Sequence, residues 1–246
     1  GFGTRMYPLT LDKPKALLEI NGKPVIEYII EKILGLKEVE QVIVISNDKF
    51  YGDFVKWRDN FKLGAKVKLI NNCISKQEEA RGAIGDIYYA LEEEKINDDF
   101  IVINADNLFS FDLGFLYERF LISKQPIISL YDVKDVEIAK KMGSVEIDEH
   151  GKLIFFKEKL ENPKNTLCSI GIYLFPRWIA AYFKKYLEKG NSPNRSGDFI
   201  EWLYKEVGVY SYLFDNKNGF WFDIGSKESY EKAQEVMKGG AEKKEL

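Results

Sequence analysis

The chain has 246 residues, 45% hydrophobic and 14% aromatic, enough to bury a sizeable core and too apolar for a disordered protein. Its 36 basic and 39 acidic residues leave a formal charge of −3, which offers no global attraction to a nucleic-acid polymer or an anionic membrane. Any phosphate binding must therefore be local, and no stretch approaches the roughly 20 apolar residues of a bilayer span.

In chain order, Gly1-Phe2-Gly3-Thr4-Arg5-Met6-Tyr7-Pro8-Leu9-Thr10, followed by Asp12-Lys13-Pro14-Lys15, reads as a phosphate cradle. Gly1 and Gly3 let backbone N–H groups approach an anion, Arg5 adds a fork of donors, and Pro8 and Pro14 brace Lys15 as a second point charge. A flexible basic tail is the plainer alternative, and the two prolines with the apolar run behind them argue against it. Pro24 to Leu36 has the apolar period of a helix with proline in its first turn. Val42 to Ile45 and Phe100 to Ile103 are short continuous apolar runs, the mark of strands covered on both faces. Residues 54–62 and 85–94 suggest helices and 66–70 a strand. This alternation predicts a largely parallel, doubly wound sheet, in which ligands bind at the carboxyl ends of the strands, where Asp106 falls.

After a helix over 113–121 the pattern turns antiparallel, with strands at 127–131, 144–147, 152–156 and 169–175. Asp148-Glu149-His150-Gly151 forms a hairpin turn between two of them. His150 is the one histidine, so Ser-His-Asp, Cys-His and multi-histidine metal schemes are set aside, leaving carboxylates, Lys and Arg to carry any chemistry. Cys73 and Cys168 sit in unrelated contexts and read as inert, buried or partly buried thiols suited to a reducing cytoplasm. Helices over 179–187, 199–205 and 228–237, the last capped by Ser226, complete the elements. The chain shows no internal repeat.

Several segments could carry chemistry. Asp106 in Asn104-Ala105-Asp106-Asn107-Leu108-Phe109 suits a Mg²⁺ ligand at a strand end, although an Asp there is more often a turn former or cap. Phe220-Trp221-Phe222-Asp223-Ile224-Gly225-Ser226 offers a second carboxylate behind an aromatic strand. Lys157-Glu158-Lys159 follows the strand Leu153 to Phe156, where a charge run is usually a solvated face. Gly143 and Gly171 sit in strand patterns as close-approach points or bulges, and Gly82 lies in the loop Arg81-Gly82-Ala83-Ile84-Gly85.

The opening run resembles the signature of the sugar-phosphate nucleotidyltransferases, Gly-x-Gly-Thr-Arg-Leu/Met-x-Pro-Leu-Thr followed by Pro-Lys, at every position. That family carries a short hydrophobic strand before the first glycine, so the sequence is expected to be a piece that begins inside the loop, and a targeting segment ahead of Gly1 stays open. The resemblance implies an α/β fold, a three-layer doubly wound, mostly parallel mixed sheet of Rossmann-like type with an antiparallel sugar-binding portion. It implies one domain over 1–238, with a nucleotide-binding half of about 1–125 and a sugar-phosphate half of about 126–238, before a frayed tail at 239–246. It further implies a Mg²⁺-dependent reaction of a nucleoside triphosphate with a sugar 1-phosphate that releases pyrophosphate. Nucleotide contacts fall to Gly1, Gly3, Thr4, Arg5, Lys15, Gly82 and Asp106, and metal binding to Asp106 with Asp223. Sugar-phosphate contacts fall to Gly143, Glu158, Lys159 and Gly171, and the catalytic cations are Arg5, Lys15 and Lys159.

Two departures from the pattern are Ala105 in place of glycine and Leu160 in place of proline. Asp198 to Leu203 with Trp221 to Gly225 looks most like the short glucose-1-phosphate thymidylyltransferase type, which uses dTTP or UTP. Mannose-1-phosphate guanylyltransferases and phosphocholine or inositol-phosphate cytidylyltransferases share the early motif, and no β-helix repeat points to the acetyltransferase-fused members. A non-catalytic nucleotide or sugar-phosphate sensor is the rival class; a dinucleotide-binding dehydrogenase fails because Gly-x-Gly is followed by Thr-Arg rather than x-x-Gly. Oligomeric state is not readable, since the aromatic residues of the second half suit either the interface of a homo-oligomer or a core.

Overall fold

The computed structural model describes residues 1–217 and 219–242. The opening loop holds 3₁₀ turns at Thr4–Met6 and Lys15–Leu17 and leads to β1 (Glu19–Ile20), β2 (Lys23–Pro24), α1 (Val25–Leu34), β3 (Val42–Ser46), α2 (Asp48–Asn60) and β4 (Val67–Asn71). Next come α3 (Gly82–Glu93), β5 (Phe100–Ile103), β6 (Asn107–Phe109), α4 (Gly114–Ser123), β7 (Ile127–Asp132), α5 (Val136–Ala139), β8 (Gly143–Ile147) and β9 (Leu153–Glu158). The chain finishes with β10 (Leu167–Phe175), α6 (Ala180–Glu188), α7 (Ser196–Glu206), β11 (Tyr210–Phe214), β12 (Trp221–Asp223) and α8 (Lys227–Glu242). These form an α/β fold with a mixed sheet. They fall into two compact units, one of residues 1–80, 105–112 and 220–246, the other of 81–104 and 113–219.

In the first unit α1 turns Val25, Ile26, Ile29, Ile30 and Ile33 inward, as its apolar period requires. Ile26 and Ile30 pack with Phe50 and Phe54 of α2, while Val25 joins Met6, Leu18, Leu108 and Ile224 in a second cluster. Its strands pair two by two: β1 with β2 antiparallel, β3 with β4 parallel, and β6 with β12 antiparallel. Asn21 and Gly22, both at positive φ, make the tight β1–β2 turn, an Asn-Gly signal that the sequence carries and that our strand reading passed over.

The second unit is built on a six-stranded sheet in the order β11-β7-β10-β8-β9, with β5 also paired to β10. β10 forks. Its start pairs with β8 at Cys168↔Ser144 and Ser169↔Gly143, and its end pairs with β5 from Ile172↔Ile103 to Phe175↔Phe100. Gly171, at φ +70°, sits at the irregularity between the two halves. One large core joins Ile84 and Leu91 of α3, Phe183 of α6 and Phe199 and Leu203 of α7 to Leu130, Phe156 and Phe175 of the sheet. Phe183 and Phe199 stack at 4.1 Å.

Several sequence expectations are corrected. Among the described strands only β3–β4 and β7–β11 pair in parallel, because β5 meets β10 antiparallel. Helix α2 starts at Asp48, where the buried Asn47 side chain accepts from Phe50 N at 3.1 Å, six residues before the apolar period becomes visible. β11 is a strand the sequence reading does not contain; its five residues pair in parallel with β7. Cys73 is exposed, not buried or half-buried, whereas Cys168 is buried and its thiol is pushed up to about 12 by that burial. Helix α8 runs through Gly239 and Gly240 to Glu242, past the expected fraying point, and 243–246 lie outside the described residues. No described helix is long and apolar enough to cross a membrane.

The α2 cap makes a direct prediction. Asn47→Ala leaves Phe50 N without its partner and should cost about 1 kcal/mol in a urea titration of the whole chain, whereas an unchanged midpoint would mean that the packing of Phe50 and Phe54 alone sets the start of α2.

Candidate active site

The sequence candidates divide between the two units, and each group is described within its own. In the first unit, Gly3 adopts a left-handed conformation, φ +67°, directly before the Thr4–Met6 turn. A Cβ on Gly3 would stand 3.1 Å from Thr10 Cβ, and Thr10 Oγ1 donates to Gly3 O at 2.7 Å. Thr10 is fully buried, so the loop is closed by an inward-facing hydroxyl rather than left as a tail. Gly1, Thr4 and Arg5 lie exposed on it, and Met6 anchors it in the core. Lys15 opens the second 3₁₀ turn.

Lys15 Nζ stands 2.6 Å from Asp106 Oδ2, with about a quarter of each side chain exposed (27% and 27%). Lys13 instead pairs with Glu19 at 2.8 Å in solvent, which singles out Lys15 as the cation of the group. Asp106 directly precedes β6, and Asp223 ends β12. The antiparallel register Asp223↔Asn107 brings the two together, and Ile224 N donates to Asp106 O at 2.8 Å. Trp221 Nε1 donates to Asn107 Oδ1 at 2.5 Å, tying the same two strands through side chains. Gly225 leaves room for the Asp223 carboxylate, since a Cβ there would meet Oδ2 at 2.9 Å.

The surrounding protein and next the like charge of Asp106 push Asp223 up to about 6, against the pull of Lys15 and Arg5. Asp223 keeps solvent access, and the carboxylate of Asp106 facing it disfavours a second negative charge. A divalent cation fits this donor set: two hard carboxylates whose mutual repulsion is only partly offset by Lys15 and Arg5, and no group of three or more His, Cys, Asp or Glu among the described residues that would complete a protein cage. Mg²⁺ ordinarily takes one or two carboxylates and fills its shell with water and phosphate.

In the second unit Glu158 ends β9 opposite Gly143 of β8. A Cβ on Gly143 would stand 3.1 Å from Glu158 Oε1 and 2.7 Å from the Phe156 ring. Burial raises the Glu158 carboxyl above its usual range, with Arg195 pulling it down and Asp198 pushing it up. Lys159 is exposed, at φ +54°, its N–H donating to Met142 O at 2.9 Å. The structure thus brings Gly143, Glu158 and Lys159 together. Gly171 lies apart at the β10 fork, where a Cβ would meet Asn104 Nδ2 at 2.3 Å.

Gly82 has a packing reason: at φ +75° its missing Cβ makes way for Pro193 O, 2.3 Å from where that atom would be. Ala83 N and Ile84 N donate to Asn194 O and Pro193 O at 3.3 and 2.8 Å. The sequence reading assigned no role to Thr10 beyond its place in the motif, and it missed the Asn107–Trp221 bond, which no spacing rule reveals. It also missed Arg195, doubly bonded to Asp198 at 2.8 and 3.0 Å, for which the i,i+3 charge pair was the available signal.

A small-residue loop, a cation and facing carboxylates on an α/β scaffold are the equipment of a protein that handles phosphate esters. A sequence profile of the nucleotidyl transferase family matches residues 1–239, and the chain belongs to that family. It is 33% identical over 225 residues to the bifunctional protein GlmU of Methanocaldococcus jannaschii, a match covering 92% of this chain and 49% of that protein. It is 30% identical to the D-glycero-alpha-D-manno-heptose 1-phosphate guanylyltransferase of Campylobacter jejuni, over 94% of this chain and 93% of the relative. A solved Bacillus anthracis chain assigned as a glucose-1-phosphate thymidylyltransferase superposes with a TM-score of 0.82 at 25% identity, over 96% of this chain and 91% of that one. The chain spans about half the length of its GlmU relatives.

Thr10→Val tests the loop closure. It removes the hydroxyl donor to Gly3 O, which then keeps only Met6 N at 2.9 Å, and should cost about 1 kcal/mol in chemical denaturation; an unchanged stability would mean that the hydroxyl does not hold the loop.

Proposed function

We propose that the protein joins a sugar 1-phosphate to a nucleoside triphosphate, giving a nucleoside diphosphate sugar and pyrophosphate. The observation that carries this reading is the Asp106–Asp223 pair beside Lys15, held by the β6–β12 register next to the Gly1–Arg5 loop motif. A Mg²⁺ bound by these carboxylates would supply charge neutralisation for the reacting phosphates. The chain's own residues do the rest by positioning. Backbone N–H groups of Gly1 to Thr4 and the Arg5 guanidinium receive the departing pyrophosphate, and Lys15 holds the triphosphate. Lys159 binds the sugar phosphate, and Glu158 accepts hydrogen bonds from sugar hydroxyls. One oxygen of the sugar phosphate forms the new bond to the α-phosphorus as the α–β bridging bond breaks and pyrophosphate carries off the electron pair. The attacking oxygen is already anionic, so no general base is required. His150, exposed in its hairpin turn, takes no part.

Glucose 1-phosphate with dTTP or UTP is the favoured pair, supported by the Asp198–Leu203 and Trp221–Gly225 segments and by the Bacillus anthracis likeness. A second reading, guanylyl transfer to a mannose- or heptose-type 1-phosphate, is favoured by the Campylobacter relative, which matches over nearly the full length of both chains. The two cysteines without metal spacing suit work in a reducing cytoplasm.

A pyrophosphate-release screen separates these. It crosses ATP, GTP, CTP, UTP and dTTP with glucose, mannose, heptose and N-acetylglucosamine 1-phosphates, phosphocholine and inositol phosphate, with and without Mg²⁺. One dominant Mg²⁺-dependent pair is expected, and Asp106→Asn should lower its turnover by about a hundredfold or more while leaving the melting temperature in place. Full Mg²⁺-dependent activity of that variant would refute the site; silence across the grid with triphosphate still bound would favour a sensor.

A further inference from the structure

The carboxylate of Glu158 occupies space that two glycines leave empty. Opposite it in the sheet is Gly143, and above it the first turn of α7 presents Gly197. A Cβ on Gly197 would stand 1.5 Å from Glu158 Oε1, 2.4 Å from its carboxyl carbon and 2.8 Å from its Cγ. No side chain at position 197 is compatible with Glu158 where it lies.

The obstruction differs in kind from that at other glycines. At Gly82 the atom in the way is the backbone carbonyl of Pro193, which cannot yield without moving the loop. At Gly197 the three nearest atoms, Oε1, the carboxyl carbon and Cγ, all belong to the one flexible side chain of Glu158, so an alanine there would turn Glu158 aside. Gly197 lies in an α-helix and needs no left-handed conformation, so the backbone itself accepts alanine.

The carboxylate so placed is uncommitted. Among the described residues it accepts no hydrogen bond, while two neighbouring cations are already paired, Arg195 with Asp198 at 2.8 Å and Lys157 with Glu201 at 2.8 Å, and Lys159 acts on it only through its charge. An acceptor with its oxygens unspent, seated in a slot with a charge-paired rim, is suited to hydroxyl donors that come from outside the chain.

We infer that Gly197 is a positioning residue which, by lacking a side chain, holds the Glu158 carboxylate where it recognises sugar hydroxyls, and so sets which sugar 1-phosphate the enzyme accepts. The inference rests on the sugar-phosphate reading above and adds to it the element that aims Glu158.

The test compares Gly197→Ala, Glu158→Ala and the double variant in the full chain. With the sugar 1-phosphate identified by the screen, Gly197→Ala should raise its KM about tenfold to a hundredfold, the equivalent of one or two hydrogen bonds to a charged group. The KM for the triphosphate should stay within about twofold and the melting temperature should not fall, since alanine is the better helix former. In the Glu158→Ala background the glycine change should have no further effect on KM, which a merely structural loss would not show. A crystal structure of Gly197→Ala should find the carboxylate turned out of its slot. Additive losses in the double variant, or an unchanged sugar-phosphate KM in Gly197→Ala, would overturn the inference. A protein inert toward every sugar phosphate overturns the proposed function and with it the recognition half of the inference, whereas an unmoved Glu158 in the Gly197→Ala crystal structure overturns the positioning half alone.

Discussion

The pairing of β6 with β12 is the constraint on which the first unit depends. Three residues on each side, Asn107–Phe109 and Trp221–Asp223, join parts of the chain that are 114 positions apart at the Asn107–Trp221 bond. Antiparallel register then does what no local sequence rule can: it puts the residue before one strand beside the last residue of the other, so that Asp106 and Asp223 face one another. The same pairing inserts Leu108 and Ile224 into the cluster that also holds Met6 and Leu18, and so fastens the glycine loop and the carboxylates to one piece of core. Lys32 secures the far side, donating to Ser110 O and Phe111 O at 2.9 and 3.0 Å just beyond β6. Burial there lowers its pKa, while Asp112 supports its charge.

The two carboxylates were legible in the sequence as candidates, but the way they meet was not. In a doubly wound sheet two strand ends would bring them together. The meeting is made by a short antiparallel pair instead, because Asp106 stands before its strand rather than at the end of β5. Long periodic elements were read well: α1, β5 and β7 sit within a residue or two of their expected bounds, since each repeats its burial signal several times over. The starts of two helices were not. α2 begins where Asn47 caps it, whereas α7 has no side-chain cap and begins at Ser196 with small residues, ahead of the first buried aromatic, Phe199. A cap is a single residue, and periodicity cannot see it.

Glycines show the same limit more sharply. In the sequence Gly3, Gly82, Gly143, Gly171 and Gly197 are one letter, and the motif readings gave four of them to ligands. In three dimensions their neighbours differ. Gly3 makes way for Thr10, Gly82 for the Pro193 carbonyl, Gly171 for the Asn104 side chain at the β10 fork, and Gly143 and Gly197 for one carboxylate. Positive φ accounts for the first two and for Gly171, while Gly143 and Gly197 are needed only for space. Which of these reasons applies depends on what packs against the missing Cβ, information held by residues far away in the chain.

The two units divide the electrostatic work in different ways, and this bears on how one fold serves different substrates. In the first unit the charged groups are held by the backbone and by each other: Lys15 is paired to Asp106, Asp106 is fixed by its own carbonyl, and Asp223 is fixed by strand register. In the second unit the Glu158 carboxylate hangs on a flexible side chain whose place is decided by volume, between a strand glycine and a helix glycine. At the strand glycine an added methyl would also meet the Phe156 ring of the core at 2.7 Å, whereas at the helix glycine the three nearest atoms it would meet all belong to the Glu158 side chain. A carboxylate placed by empty space can be moved by a single substitution, whereas a carboxylate placed by strand register moves only with the backbone.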